Sequence, residues 1–293
     1  MSLGRVGSIL LGAALLAGCS RSEDEPTTDD RDLIGGDESR NGEIAATVGI
    51  SQNGRHTCAA ARVGPRIVLT AAHCVFSAGS LSLYYDAEHD VTLRSPSGTL
   101  TSYKVKAAHV HPAWSSKCAE TLCSVSAVTA KLDAPDVAVL ELVEEPKELA
   151  TANVDRSPLQ PGDLVRVTGF GCTTGVHVTG ENVAVALRTA DQSVVPPSAA
   201  LHDGSFVSAT DEPVYAGNYA FTAGKAGLCP GDSGGPLYKS GPAGMSVVGV
   251  NANYTLLPDD RDEVGIPVTN WHTRLDGNSR NHVGDWLSQV GVP

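Results

Sequence analysis

The sequence predicts an all-β fold, a sandwich or barrel of short strands, with one helix at the C-terminus. Three observations carry that expectation. Apolar residues alternate or cluster in short runs along most of the chain, the period expected of half-buried strands. Gly, Pro, Asn or Asp separates most of these runs, and the 293 residues include 31 Gly and 17 Pro, a composition that disfavours a helical bundle. A helical period is sustained only near the end, where Val283, Trp286, Leu287 and Val290 fall at i, i+3, i+4 and i+7, one apolar face of a terminal helix. With 41% hydrophobic and 18% charged residues, the chain can bury a sizeable core and is not a disordered segment. The net charge of −12 makes nucleic acid an unfavourable partner, because an acidic surface repels phosphates.

Taken in order, the first element is a targeting segment. Arg5 precedes an apolar and small-residue stretch from Val6 to Ala17. It is shorter than the roughly 20 residues a membrane-spanning helix needs, and it has the layout of a secretory signal. The stretch ends Leu16-Ala17-Gly18-Cys19-Ser20. This resembles the lipobox of bacterial lipoproteins, which implies a signal peptide over 1–18 and lipidation at Cys19; an ordinary signal peptide with a Cys near its cleavage site is the alternative. Residues 19–32 follow as a tether or propeptide: positions 20–32 hold six acids, two Arg and no large apolar residue, so they cannot offset the entropy of ordering. No later stretch is long and apolar enough to cross a membrane. The protein is therefore expected to be exported, lipid-anchored to a cell envelope or released after processing, with membrane contact only through Cys19.

The strand candidates follow. They are Arg66–Thr70, Leu81–Tyr85, Tyr103–Val105, Val137–Leu140, Leu164–Val167, Ala184–Leu187 and Val247–Val250. No repeat of solenoid length is present. Seven Cys occur, at 19, 58, 74, 118, 123, 172 and 229. Removing Cys19 leaves an even six, suited to three disulfides in an oxidising compartment. Paired CxxC spacing and clustered His are absent, so no metal site is expected.

Three segments carry chemistry: Leu69-Thr70-Ala71-Ala72-His73-Cys74, Asp136-Val137-Ala138-Val139-Leu140-Glu141-Leu142 and Gly231-Asp232-Ser233-Gly234-Gly235-Pro236. From about Leu33 to the terminal helix the chain resembles the trypsin/chymotrypsin-like serine protease family, and the order His, Asp, Ser matches that family rather than the subtilisins or α/β-hydrolases. The resemblance implies a domain over 33–293 made of two packed six-stranded antiparallel β-barrels with a C-terminal helix. The first barrel, about 44–145, would hold His73 and Asp136, the second, about 160–270, Ser233, and the helix would cover the first barrel.

The implied activity is peptide-bond hydrolysis through an acyl-enzyme. A serine hydroxyl needs a base within hydrogen-bond reach and a third group to orient that base. The resemblance assigns these roles to Ser233, His73 and Asp136. The run after Asp136 puts it at the head of a buried strand. The backbone N–H groups of Gly231 and Ser233 would form the oxyanion hole, each donor worth roughly 3–4 kcal/mol in comparable enzymes. The family also implies the pairing Cys58–Cys74, and Cys172–Cys229 as a variation; Cys118–Cys123 then uses the remaining pair. No GxSxG elbow precedes a helix, the arrangement that marks an α/β-hydrolase esterase.

Leu33-Ile34-Gly35-Gly36 resembles the new amino terminus that family members gain on activation, whose amine pairs with the carboxylate before the nucleophile, here Asp232. That implies a zymogen and an activating protease. Asp32 departs from the basic residue expected before the cut, and a constitutively folded enzyme with an unprocessed tail is the alternative. The family's specificity pocket maps onto Gly227, Leu228, Ala252, Asn253 and Tyr254, with Gly265 on the opposite wall. Gly227 supplies no carboxylate for Lys or Arg, so small or medium apolar side chains are expected before the cut. Ala252 lacks a hydroxyl that normally supports the catalytic Asp. Asp86, Glu88 and Asp90 fall where some relatives bind calcium, but they do not compose a six- to eight-oxygen set and read as a solvated loop. No cofactor is expected. The partners are protein or peptide substrates, bound along a strand edge by a monomer. The rival to an active endopeptidase is a protease-like domain that binds without cutting.

Overall fold

The structure is a computed structural model that describes residues 33, 36–39, 42–52, 55–77, 82–87, 89–121, 134–171, 186–199, 216–224, 226–255 and 269–293. Its strands, in chain order, are β1 (Asp37–Glu38), β2 (Thr47–Gln52), β3 (Arg55–Gly64), β4 (Ile67–Thr70), β5 (Phe76–Ser77), β6 (Ser82–Leu83), β7 (Asp90–Arg94), β8 (Leu100–Val110), β9 (Ala138–Leu142), β10 (Asn153–Val154), β11 (Leu164–Gly169), β12 (Arg188–Val195), β13 (Tyr219–Ala223), β14 (Pro236–Gly241), β15 (Gly244–Thr255) and β16 (Thr269–Arg274). Two α-helices are described, α1 (Pro112–Thr121) and α2 (Val283–Gln289).

The strands form two barrels. β2, β3, β4, β9, β8 and β7 close the first, every pairing antiparallel. In the second, β12, β11, β14, β15, β16 and β13 pair in that order, and a β12–β13 pairing closes the ring. Closure pairs each ring strand on both sides; β1 and β10 flank the second ring on β12 and β15. The double barrel and the terminal helix are as the resemblance implied.

Apolar side chains are buried inside each barrel and, on β4 and β9, on both faces of the strand. Val48, Ile50, Val68, Leu69, Val91, Leu93, Val139 and Leu140 are each no more than 1% exposed in the first. Helix α2 buries Val283, Trp286 and Leu287 and packs on the first barrel as expected, with Trp286 edge-on to His111 just past β8 at 5.1 Å. Leu33, Val165, Val167, Leu228, Leu237 and Val248 form the cluster of the second. The barrels are also tied directly: Thr47 Oγ1 and Tyr238 Oη lie 3.1 Å apart, both buried.

Three differences from the sequence reading have physical reasons. Helix α1 was not expected, because PAWSSKCAET has no apolar stripe. It starts on Pro112, whose fixed φ and missing N–H suit a first helical turn, and His111 Nδ1 accepts the Ala113 N–H at 3.2 Å. Ala186 and Leu187 are not in a strand; the strand begins at Arg188. The pattern of β12 is hidden because Gln192, 3% exposed, occupies an inward position. The Leu81–Tyr85 alternation yields only Ser82–Leu83 as strand, paired with Phe76–Ser77 in a two-stranded ribbon.

Candidate active site

Register brings His73 and Asp136 together. β4 and β9 are antiparallel neighbours with Thr70 opposite Ala138. Past Thr70 the chain turns through a 3-10 segment, Ala72–Cys74, that carries His73. Asp136 lies just before β9, so both residues project from the same end of one strand pair. The Asp136 carboxylate is bidentate: Oδ1 accepts the His73 backbone N–H at 3.0 Å and Oδ2 lies 2.6 Å from Nδ1. Asp136 is buried, its side chain 4% exposed, whereas the imidazole is 34% exposed. An acceptor-only carboxylate requires the proton on Nδ1, which leaves Nε2 as the acceptor on the open side.

Two hydroxyls brace the segment that holds Asp136. Tyr219 Oη donates to Ala134 O and Thr273 Oγ1 donates to Asp136 O, each at 2.8 Å. Burial raises the Tyr219 phenol well above its usual pKa, and the nearby Asp136 charge adds to this. The sequence reading missed both residues. They stand on strands of the second barrel and support the carboxylate's segment.

Ser233 sits in a tight loop before β14. The chain takes left-handed conformations at Gly231 (φ 105°) and Gly234 (φ 82°), which side chains disfavour. A Cβ on Gly234 would fall 2.1 Å from Thr70 Oγ1 and 2.4 Å from Ala59 O. The loop therefore presses against the end of the first barrel that carries His73. Ala59 N–H donates to Ser233 O at 2.7 Å, and that carbonyl lies 3.5 Å from Cys74 Sγ. Ser233 thus meets the His73 turn through its backbone. A bond from its Oγ to the imidazole is not among the hydrogen bonds found between described residues.

Asp232 is fully buried. Its Oδ1 accepts the Gly171 N–H at 2.8 Å and its Oδ2 the Cys229 N–H at 3.0 Å. A Cβ on Gly169 or Gly171 would collide with this carboxylate, at 1.8 and 2.4 Å. Leu33 is fully buried in the cluster of the second barrel, with φ 47°, a strained value for a non-glycine residue. Ile34 and Gly35 lie outside the described residues.

The predicted pocket residues are partly gathered. Gly227 and Leu228 are buried, and Leu228 packs in the second barrel's apolar cluster. Tyr254 packs against the same cluster, and its phenol is raised by burial and then by the Asp232 charge. Ala252 is 8% exposed and packs beside Phe221 and Trp271, while Asn253 sits at a bulge in the β15–β16 pairing. Gly265 lies outside the described residues. The residue paired with Tyr254 across β16 is Asn270, missed because counting from the sequence does not reveal the bulge.

Cys58 and Cys74 form a disulfide, so neither sulfur of the Cys58–His73–Cys74 group is free to bind a metal. Cys229 is disulfide-bonded; Cys172, its expected partner, lies outside the described residues, as do Cys19, Cys123 and the side chain of Cys118. In the acidic loop, Asp86 Oδ1 is 2.7 Å from His89 Nδ1, and Glu88 lies outside the described residues.

Comparison with known proteins places this architecture. Residues 33–270 match the trypsin family, and the chain belongs to that family. It is 28% identical over 245 residues to chymotrypsin-like elastase family member 1 from Canis lupus familiaris, covering 80% of this chain and 82% of the relative. It is equally similar, 28% over 253 residues, to the Rattus norvegicus protein of the same name, at 83% and 86% coverage. The fold matches human heparin binding protein with a TM-score of 0.58 at 18% identity, over 89% of this chain and 97% of that one. A mutant of the same protein gives 0.59 at 17%, with the same coverage. Family membership supports a serine protease with protein or peptide substrates.

Proposed function

We propose that the protein is a serine endopeptidase in which Ser233, His73 and Asp136 form the catalytic triad. The observation that carries this is the buried Asp136 carboxylate holding His73 through both its backbone and Nδ1, beside the loop that presents Ser233. The steps follow the chymotrypsin template. His73 Nε2 takes the Ser233 Oγ proton as Oγ attacks the substrate carbonyl. The tetrahedral oxyanion is held by the N–H groups of Gly231 and Ser233. His73 then gives its proton to the departing amine, leaving an acyl-Ser233. A water, deprotonated by His73, releases the acid and restores the hydroxyl. Asp136 keeps Nδ1 protonated throughout and stabilises the imidazolium.

The pocket lacks a carboxylate at Gly227, and Tyr254 and Asn270 stand across from each other on paired strands. This favours small or medium apolar side chains before the cut over Lys or Arg. Residues 1–18 act as a signal peptide, Cys19 carries lipid, and 19–32 is a tether removed before Leu33, whose new amine would reach Asp232. The test uses chain processed at Leu33: Ser233 is labelled by a fluorophosphonate and peptides with Ala, Leu, Phe and Arg before the scissile bond are compared. Labelling lost in Ser233→Ala, with Ala or Leu peptides cut fastest, is expected. Absence of labelling in the processed protein would return the domain to a binding role, and fastest turnover of the Arg peptide would overturn the pocket assignment.

A further inference from the structure

Behind the Ser233 loop lies a continuous set of buried polar side chains, of which the pocket assignment uses only Asn270 and the triad and oxyanion assignments none. Asn251 and His272 are fully buried, as is Thr222, and Gln192 and Asn270 are 3% and 1% exposed. They come from β15, β16, β13 and β12, so folding alone assembles them. Groups buried this deeply are costly unless each is bonded, and here each is.

The bonds have a definite direction. Asn251 Nδ2 donates to Thr168 O at 2.9 Å and to Asp232 O at 3.2 Å. The amide oxygen, Oδ1, is 2.9 Å from His272 Nδ1. Because Oδ1 accepts only, His272 must carry its proton on Nδ1. Burial pushes the His272 pKa down to about 3, so the ring is neutral and Nε2 is an acceptor. Thr222 Oγ1 lies 2.9 Å from Nε2, also within reach of Gln192 Oε1, and its single proton serves one of the two at a time. Beyond it, Asn270 Nδ2 donates to Gln192 Oε1 at 2.9 Å and Asn270 Oδ1 accepts the Leu228 N–H at 2.8 Å. The chain of bonds thus grips the segment from Leu228 to Asp232 at both ends.

The Asp232 end has a specific consequence. Asp232 C=O and Ser233 N–H belong to one peptide unit, and the structure contains no cis peptide among the described residues. In a planar trans unit the carbonyl and the N–H point in opposite directions, so fixing one aims the other. The Asp232 carbonyl is fixed twice, by Gly235 N–H at 3.0 Å and by Asn251 Nδ2. A Cβ on Gly235 would sit 3.0 Å from Asn251 Nδ2 and 2.8 Å from Thr168 O; glycine there lets the amide reach in.

We propose that Asn251, oriented by His272, is a positioning residue that fixes the Asp232–Ser233 peptide and so aims the Ser233 N–H at the developing oxyanion. Neither side chain touches substrate. Both act through the backbone of the nucleophile loop. The kinetic consequence rests on the endopeptidase reading; the structural one rests on the loop geometry alone.

The test compares Asn251→Leu, His272→Leu and His272→Asn in processed enzyme. An Asn at 272 offers an N–H donor near the place of Nδ1, and Leu offers none. Turnover is read per fluorophosphonate-titrated site, with KM, with Ki for a peptide aldehyde and with thermal midpoints. The two Leu variants are expected to lose about 10- to 100-fold in kcat with KM within twofold. The aldehyde should weaken in parallel, because it forms the tetrahedral adduct, and His272→Asn should recover most of the loss. A crystal structure of Asn251→Leu should show the Asp232–Ser233 peptide rotated. Unchanged kcat per titrated site in both Leu variants, a loss carried by KM, or an unmoved peptide would overturn the proposal. Should Asn251→Leu fail to fold, the two His272 variants decide the matter. Should the wild type cut nothing, the endopeptidase reading fails while the wild-type and variant crystal structures still decide this one.

Discussion

At the scale of single residues, the site depends on hydrogen bonds that cross between the barrels. Asp136 belongs to the first, but the hydroxyls bracing its segment, Tyr219 and Thr273, belong to the second. A typical buried hydrogen bond adds about 1 kcal/mol, so removing either hydroxyl should cost about that much stability. The functional effect should be larger for the pair than for either alone, because each still pins one end of residues 134–136 when the other is gone. Tyr219→Phe and Thr273→Val are expected to unfold at slightly lower urea than wild type. The double variant should lose several-fold in kcat with KM retained, as a slackened Asp136 misorients His73. Kinetics on one peptide substrate and urea titrations check this. A double variant with wild-type kcat would mean that the carboxylate needs no such brace.

At the scale of elements, short connections do most of the positioning. The Cys58–Cys74 disulfide joins β3 to the turn bearing His73 and closes a loop with a sequence separation of 16. Loop-entropy reasoning gives such a link about 3 kcal/mol. Cys58→Ser with Cys74→Ser should therefore lower unfolding free energy by that order, and a nearly unchanged denaturation curve would refute the estimate. A second connection is His111, between β8 and α1. Its Nε2 is 3.2 Å from Asn281 O, its Nδ1 accepts the Ala113 N–H, and its ring packs edge-on against Trp286 at 5.1 Å. Burial pushes its pKa down to about 4, against an upward pull from the Asn281 bond. An unfolded histidine titrates near 6.5, so the unfolded chain binds the extra proton first. The stability His111 contributes is complete above pH 6.5 and is lost as pH falls toward 4; buried His272 acts with the same sign. Thermal midpoints should fall between pH 6.5 and 5, above the carboxylate range, and the fall should shrink in His111→Gln. An equal fall in that variant would assign the effect to other groups. The same elements show what could be read in advance. The TAAHC and GDSGGP segments were legible because a tight turn and a nucleophile need neighbouring residues. The Asn251–His272 network was not, since five side chains on four strands meet only through register, and a bulge at Asn251/Asn253 shifts that register. Helix α1 was hidden because, among its described side chains, only Trp114, 5% exposed, is buried, and one anchor sets no period.

At the scale of the whole molecule, the question is how the catalytic domain stays attached to its amino-terminal segment. We have proposed a lipid at Cys19 and a cut before Leu33. No Cys lies between Ser20 and Asp32, so no disulfide would span the cut. On the domain side, the chain after Leu33 is well held. Leu33 is buried, Arg188 Nη2 donates to Gly36 O at 2.6 Å, and β1 pairs with β12. These contacts keep the new terminus on the second barrel, whereas positions 20–32, with six acids and two Arg, offer little apolar surface to hold them there. Processing should therefore free the domain from its anchor in the same step that creates the new amine. In a host that lipidates the chain, the uncut form should fractionate with membranes and the cut form should be soluble after a high-salt wash. Cys19→Ser should be soluble in both states, and a Leu33→Pro variant that resists cleavage should stay with the membrane. A processed domain that remained membrane-bound through the salt wash would require a second attachment in residues 33–293, and the release idea would fall.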